Sequence, residues 1–401
     1  MSLTRPADAY NPTYFLASVG AGGLSVTFFM YLMFWVPHTG RPVPIFEDIA
    51  AAFNGGSLAM QGAIIAAMAG IAVFAFLNIK ALVWNLGALG RFKHTDGYAK
   101  LMKTNAQASM LAMPLAIAMS INAMFIVGLV FVPKLWSIVE YLFQLAMAAF
   151  FLNAIWTLKM MGDMIARYLA EKDGFNADAN NSFAQVLPAF ALAMNAVGLA
   201  APAAMSTVPT VVGTSIVLST LFGTIAALYA IVKIIAAVPA LLHHGVDRDA
   251  APTLMIAVPL VTILSIMIMR QDHGLHTTLE GHTTAADTLM FLAKGISIQL
   301  AFLGLGWAVL KSQGYFKSYV FGDKTHVGSY ALVCPGVAFS VLMHFFINKG
   351  LVATHIIDKF GTAYWALTAV ALIAQFAMVV LVLRLNRQHF GMARPSAVPA
   401  E

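Results

Sequence analysis

The chain has 401 residues, of which 60% are hydrophobic and only 10% are charged. A soluble domain has about 25% charged residues, so a chain of this length would lack the polar side chains to cover its surface. The composition therefore excludes an ordinary soluble protein and predicts an integral membrane protein surrounded by lipid. Because a membrane-spanning helix needs about 20 residues, the chain is long enough for about ten spans and leaves little for a soluble domain.

The 23 Lys and Arg residues exceed the 17 Asp and Glu residues, which gives a net charge of +6. In a membrane protein this excess is typical of cytoplasmic loops, and we expect no nucleic-acid partner. The single cysteine, Cys334, excludes an intramolecular disulfide and any metal or iron–sulfur site with several cysteine ligands. No phosphate-binding loop, dinucleotide fingerprint or metalloprotease motif is recognisable, so we expect no cofactor and no enzymatic activity.

Ten apolar runs bounded by charged or turn-forming residues have the length of a membrane span. We therefore predict an all-α, polytopic membrane protein that forms a single domain over residues 1–401. The predicted spans are Asn11–Val36, Ala59–Gly87, Gln107–Phe131, Ser137–Tyr168, Phe183–Met205, Val212–Leu242, Ala251–Met269, Ala285–Leu310, Val327–Asn348 and Asp358–Leu385.

Lysine and arginine residues gather where even-numbered spans end and odd-numbered spans begin. That side has 17 of the 23, and the other side has Arg41, Lys134, Arg270, Lys294, Lys349 and Lys359. Because positively charged loops stay in the cytoplasm, we predict that both termini are cytoplasmic. The expected location is the inner membrane of a bacterium.

The spans repeat as five helical hairpins, at about residues 11–88, 106–169, 183–243, 251–311 and 327–386. The third, fifth, seventh and ninth spans each have a proline about a third of the way along, namely Pro114, Pro188, Pro259 and Pro335, and the first has glycines at 20, 22 and 23. Proline removes a helical hydrogen bond and glycine loosens the helix, so we predict a break in every odd span.

The even spans are smoother, and two of them share the tripeptide Phe-Leu-Asn, at 76–78 and 151–153. In a bilayer, a broken helix is tolerated where its backbone is buried in protein or lines a cavity. We therefore predict that the odd spans lie inside and the even spans outside. The alternative is that proline is simply more frequent in membrane helices than in soluble ones.

This pattern of five hairpins resembles the tellurite-resistance/dicarboxylate transporter superfamily, which includes the plant slow anion channel. Within it, the segment 315–336, YFKSYVFGDKTHVGSYALVCPG, resembles the TsoY-type membrane (seleno)proteins, some of which have selenocysteine. The resemblance implies a quasi-fivefold arrangement in which kinked odd helices surround a central pore. It also implies a homotrimer embedded in membrane lipid.

In the anion-channel relatives a phenylalanine precedes the proline of the ninth helix and gates the pore. Here Cys334 precedes Pro335, so a thiol stands where the family has its aromatic ring. Phe339, one turn further on, is the expected substitute for the gate. The alternative for Phe339 is ordinary packing between helices, since the chain has 28 phenylalanines.

The expected pore lining combines the odd-span breaks with polar groups beyond them. Asn122, Asn195 and His344 lie about two helical turns after their prolines, where neutral donors could bind a partly dehydrated anion. The predicted pore residues are Cys334, Pro335, Gly336, Phe339, His344, Asn122, Asn195, Pro114, Pro188 and Pro259. The alternatives are an inert packing thiol at Cys334 and a His344 ring bonded to a neighbouring carbonyl.

No charged residue lies in the middle of any predicted odd span, whereas ion-coupled carriers usually keep an intramembrane carboxylate. The sequence therefore favours a passive channel or facilitator for a small anion or for a sulfur- or selenium-containing solute. The alternative is a membrane redox enzyme or accessory subunit that uses Cys334 or the cluster of His273, His276 and His282. Nitrogen ligands suit zinc, but the glycines and threonines around this cluster favour a loop without metal.

Overall fold

The computed structural model describes residues 7–172 and 174–390. These residues form helices joined by short loops and contain no strand. Ten helices are long and apolar enough to cross a membrane, which confirms the predicted all-α, polytopic membrane protein. Spans 1 to 10 are Pro12–Trp35, Leu58–Phe92, Asn105–Phe131, Leu135–Ala170, Ala184–Met205, Pro209–His244, Ala251–Thr278, Ala285–Ser312, Val327–Val352 and Thr362–Phe390. Short helices at Phe46–Gly55 and Asp96–Met102 connect the first three spans.

The odd spans form a closed inner ring. Each contacts the next odd span, and span 9 closes the ring against span 1. Each even span lies outside, against its hairpin partner and the following odd span, with span 10 against spans 9 and 1. In the apolar stretch of each odd span, 56% to 94% of the residues are buried inside the protein. In the apolar stretch of each even span, the buried share is only 22% to 33%. The predicted inner and outer helices are therefore observed.

Four odd spans begin with a 3-10 segment that becomes an α-helix one or two residues before its proline, as at Pro114 and Pro188. Spans 7 and 9 change in the same way before Pro259 and Pro335. Each proline thus lies in the first α-helical turn, a position that its fixed φ angle favours. The predicted break takes the form of a change of helix type near the amino end of the span.

Span 1 has no break at its glycines, so that prediction is wrong for this span. The α-helix runs continuously over Phe15–Trp35. A Cβ atom on Gly20 would lie 2.8 Å from Val333 Cγ1, and one on Gly23 would lie 2.8 Å from Val337 Cγ1. The glycines therefore allow spans 1 and 9 to approach closely, which is the usual role of small residues between membrane helices.

Buried amides attach the outer spans to the inner ring. Asn78 of span 2 donates from Nδ2 to the backbone oxygen of Ser18 at 2.8 Å, and Asn153 of span 4 donates in the same way to Pro114 at 2.9 Å. These are the asparagines of the repeated Phe-Leu-Asn tripeptide. The repeat therefore corresponds to one structural role, an interhelical hydrogen bond in a lipid-surrounded bundle.

Candidate functional site

Three cavities lie in series inside the ring of odd spans. We call the cavity of about 490 Å³ at the carboxyl ends of the odd spans the carboxyl-end vestibule. The amino-end vestibule, of about 340 Å³, lies at their amino ends, and a central constriction of about 90 Å³ separates the two. Asn122 and Arg270 line both the constriction and the carboxyl-end vestibule. Phe190, Pro259 and Cys334 line both the constriction and the amino-end vestibule.

The central constriction is narrow and mostly apolar. All five odd spans contribute to it, and its polar side chains are Asn122, Thr262, Arg270 and Cys334. Thr262 is already engaged, because its hydroxyl donates to the backbone oxygen of Ala338 at 3.1 Å. Apolar constrictions of this kind regulate the passage of water and ions in channels.

Arg270 places a positive charge where the constriction opens into the carboxyl-end vestibule. Its Nη1 donates to the backbone oxygen of Val197 on span 5 at 2.7 Å. Across residues 7–172 and 174–390, no carboxylate forms an ion pair with it. A guanidinium is always charged and has five N–H donors, so most of its hydrogen-bonding capacity remains for an anion in the cavity.

Arg270 also corrects the sequence analysis, in which it was assigned to a loop. Span 7 continues to Thr278, beyond the predicted end at Met269. The helix continues because its polar side chains find partners inside the bundle: Gln271 donates to Ser219 of span 6 at 2.8 Å, and Arg270 reaches span 5. The inner spans are therefore not free of charge where they line the path.

The carboxyl-end vestibule has a second cation, Lys349, and two acidic residues, Asp272 and Asp287. Asp287 caps span 8, where its carboxylate accepts from the hydroxyl of Thr284 at 2.6 Å. Lys349 forms no ion pair within the described part of the chain. It lies in a π-helical segment, Phe346–Val352, at the end of span 9, and such segments are frequent at functional sites.

The amino-end vestibule has the opposite character. Amides and hydroxyls form most of its polar lining, together with His326, and its charged lining residues are Asp247 and Asp249. Asp249 accepts a hydrogen bond from the hydroxyl of Tyr319 at 3.1 Å. Cys334 lies where this vestibule meets the constriction. An anion crossing the ring would thus meet charges of both signs in the carboxyl-end vestibule and acidic groups in the amino-end vestibule.

Four of the predicted pore residues line these cavities: Cys334, Pro335, Asn122 and Pro259. The others lie elsewhere because their positions on the helix face a neighbouring span. Gly336 faces span 10, since a Cβ atom there would lie 2.5 Å from Met378 Cγ. Pro114 and Pro188 are buried in the packing of spans 3 and 5, and Phe339 is half-buried against the hydrophobic core.

The two remaining polar candidates are also turned away from the path. Asn195 lies between spans 4 and 5, where it accepts from Asn153 at 2.8 Å and donates to the backbone oxygen of Ala191 at 2.9 Å. His344 is fully buried, with its ring next to those of Tyr31 and Phe34. Neither is positioned to contact a solute in the three cavities.

Among the lining residues that the sequence analysis did not predict, Phe190 and Arg270 are the two that lie at the ends of the constriction. Phe190 lies at the constriction on span 5, two residues after Pro188, whereas the expected aromatic gate was Phe339 on span 9. Nothing in the sequence distinguishes Phe190 from the other phenylalanines. For Arg270 a signal exists, because the residues after Met269 contain no proline and can continue a helix.

The extension of span 7 also changes the setting of the histidine cluster. His273 and His276 lie on the helix and line the carboxyl-end vestibule, while His282 follows in the loop. His276 Nδ1 lies 3.0 Å from the backbone oxygen of Gly281. In the described ranges, no group of three or more His, Cys, Asp or Glu side chains is arranged to hold a metal ion.

No family model matches the chain, and no curated protein matches it. The function is therefore argued from the geometry and chemistry of the three cavities. The resemblance to the tellurite-resistance and slow-anion-channel superfamily stays a proposal.

Proposed function

We propose that the protein is a channel or facilitator that lets a small anion, or an anionic sulfur or selenium solute, cross the membrane inside the ring of odd spans. The observation that carries this proposal is Arg270, a guanidinium at the mouth of the constriction that forms no ion pair with any carboxylate of the described residues. The serial arrangement of the three cavities supports it further. Membership of the superfamily named above is part of the same proposal.

The mechanism begins with entry of the anion into the carboxyl-end vestibule, where Lys349 and Arg270 provide positive charge although Asp272 and Asp287 also line the cavity. Asp287 is engaged in capping span 8, which leaves the cations as the groups available to the anion. Arg270 then replaces part of the anion's hydration shell with its N–H groups, in a part of the path that the amide of Asn122 also lines. Because Arg270 also donates to Val197, its guanidinium is fixed before the anion arrives. Conduction requires binding strong enough for entry and weak enough for release, and a site with one guanidinium is consistent with that requirement.

A passive route suits the constriction better than ion-coupled transport. Its lining residues include no Asp or Glu, which would be needed to hold a coupling proton or metal cation. Past the constriction, the anion meets Cys334 and enters the amino-end vestibule. Phe190 narrows this passage from span 5, so its side chain is the proposed gate.

The proposal is tested by anion flux into liposomes containing the purified protein. The panel comprises chloride, nitrate, sulfite, thiosulfate, selenite and a small dicarboxylate, with protein-free liposomes as the control. We expect selective passage of at least one of these anions. Liposomes that stay impermeable to every anion tested would contradict the proposal.

The role of Cys334 in selectivity needs a separate test. Its position at the junction of two cavities brings the thiol next to any solute that passes, and a soft sulfur atom favours sulfur- or selenium-containing solutes. The variant Cys334→Ser keeps the size of the side chain and removes its sulfur. We expect it to reduce thiosulfate and selenite flux relative to chloride flux. Equal ratios in the variant and the wild type would show that the sulfur has no role in selectivity.

We further propose that the protein is a homotrimer in a bacterial inner membrane, with both termini in the cytoplasm. The distribution of basic residues between loops supports the orientation. The trimer is suggested only by the family resemblance. Protease accessibility of the carboxyl terminus in inverted and right-side-out vesicles tests the orientation, and mass measurement of the purified protein tests the trimer.

A further inference from the structure

A fourth cavity, of about 280 Å³, lies beside the carboxyl-end vestibule. It is bounded by the end of span 1 and the loop after it, the end of span 9, and the segment before span 10. We call it the side pocket. Its polar lining consists of His38, Arg41, Asn348, Lys349 and Lys359, and it is otherwise apolar. No Asp or Glu of the described residues is among those that line it.

The two lysines are the charges in the side pocket that lack a counter-ion. Arg41 is neutralised, because it forms a bidentate ion pair with Asp48 that raises the pKa of Arg41. Lys349 and Lys359 form no ion pair with any described residue. Both lysines line the same cavity, and partial burial together with the positive charge of Lys349 lowers the pKa of Lys359.

The wall between the lysines is held in place by a chain of hydrogen bonds. Asn348 donates to the backbone oxygen of His344 at 2.8 Å and accepts from the hydroxyl of Tyr364 at 3.1 Å. That hydroxyl accepts in turn from the indole N–H of Trp35 at 3.1 Å. Spans 1, 9 and 10 are thereby joined at the pocket, so its shape is set before a ligand binds.

We propose that the side pocket binds a phosphate-type dianion between the ammonium groups of Lys349 and Lys359. A dianion neutralises both lysines at once, whereas chloride would neutralise only one. Lysine is a common phosphate ligand, and hydrogen bonds between charged groups are stronger than those between neutral groups. The cavity is also larger than a monatomic anion requires.

Inorganic phosphate and the phosphomonoester headgroup of phosphatidic acid share this chemistry. The ammonium group of Lys359 lies 5.1 Å from the centroid of the Phe360 ring, which is 43% exposed on the surface, so a lipid chain could follow its headgroup there. Since Lys349 also lines the carboxyl-end vestibule, the dianion would share a cation with any anion in the transport path. Only this last point depends on the proposed function.

Binding is measured on the full chain without any flux assay, so failure of the transport proposal leaves this test intact. One arm titrates the detergent-purified protein calorimetrically with inorganic phosphate. The other compares binding of phosphatidic acid and phosphatidylcholine to the protein in nanodiscs. Lys359→Gln is the principal variant, because Lys359 lines the side pocket but none of the three cavities of the path. Lys359→Arg keeps the charge and controls for folding.

We expect Lys359→Gln to weaken binding about tenfold or more, since it removes a hydrogen bond between charged partners. Lys359→Arg should bind nearly as well as the wild type. The matched control is Lys134→Gln, which removes an exposed lysine from the same end of the molecule. Binding in the phosphate arm alone identifies a soluble ligand, and preference for phosphatidic acid identifies a lipid. Equal affinity of Lys359→Gln and the wild type, or no binding in either arm, would overturn the proposal.

Discussion

The two vestibules are built from opposite ends of the same five helices, yet their chemistry differs. The amino-end vestibule begins with 3-10 segments rich in amides and hydroxyls, and its charged lining residues are acidic. The carboxyl-end vestibule has Arg270 at its narrowest point and Lys349 on its wall. The helix repeat therefore determines where the cavities lie, while individual residues on spans 7, 8 and 9 and in the loop before span 7 determine their charge. The charge of each vestibule can thus change without any change in the fold.

The largest effect on the difference in charge between the two vestibules, and on anion flux, should come from Arg270→Gln. This variant removes the cation from the mouth of the constriction. We expect anion flux into liposomes to fall by about ten- to a hundredfold, because charge-assisted hydrogen bonds to the anion are lost. Arg270→Lys should retain more flux than Arg270→Gln, since it keeps the charge but loses the planar array of donors. Unchanged flux in Arg270→Gln would place the anion route elsewhere.

An intermediate effect is expected from Phe190→Ala, which widens the boundary between the constriction and the amino-end vestibule. Flux should rise several-fold, because an apolar barrier is removed from the passage. Phe339→Ala is the matched control, since Phe339 has the same side chain but does not line the cavities described. If Phe339→Ala raised flux and Phe190→Ala did not, the gate would be on span 9.

The smallest effect should come from Asp247→Asn, which makes the amino-end vestibule less acidic. Anion entry from that end should increase about twofold, because an exposed charge contributes only about 0.5 kcal/mol. The increase should shrink as ionic strength rises, since salt screens the carboxylate. Asp96→Asn, an exposed acidic residue at the same end outside the vestibule, should leave entry unchanged. An equal increase in both variants would indicate a general surface effect.

The arrangement of the spans could be predicted from the sequence because lipid imposes strong constraints. Hydropathy located ten spans, and the prolines distinguished inner from outer helices. The exact form of the breaks could not be predicted, since a 3-10 segment before Pro259 has no distinct sequence signal. The glycines of span 1 illustrate the same limit. A glycine in a helix either loosens it or allows a second helix to approach closely, and for Gly20 only the position of Val333 shows that the second role applies.

The candidate site was harder to predict than the fold. Hydropathy ends a span at the first charged residue, so Arg270 was taken for a loop residue although the helix continues. The second difficulty was to predict the direction in which each side chain points from its helix. Asn122 and Asn195 occupy similar positions relative to their prolines, yet one lines the path and the other bonds to Asn153. A small rotation of each helix decides between these outcomes, and it depends on packing across the whole ring.

The close fit of Gly20 and Gly23 against span 9 has a consequence for biogenesis. Span 1 is synthesised first, but its glycine face receives its partner only when the ninth span has been inserted. Until then that face is open to lipid or to the insertion machinery, and the inner ring remains incomplete. The inner ring therefore closes in one late step, and a ribosome that stalls before Val333 leaves a chain in which the ring stays open.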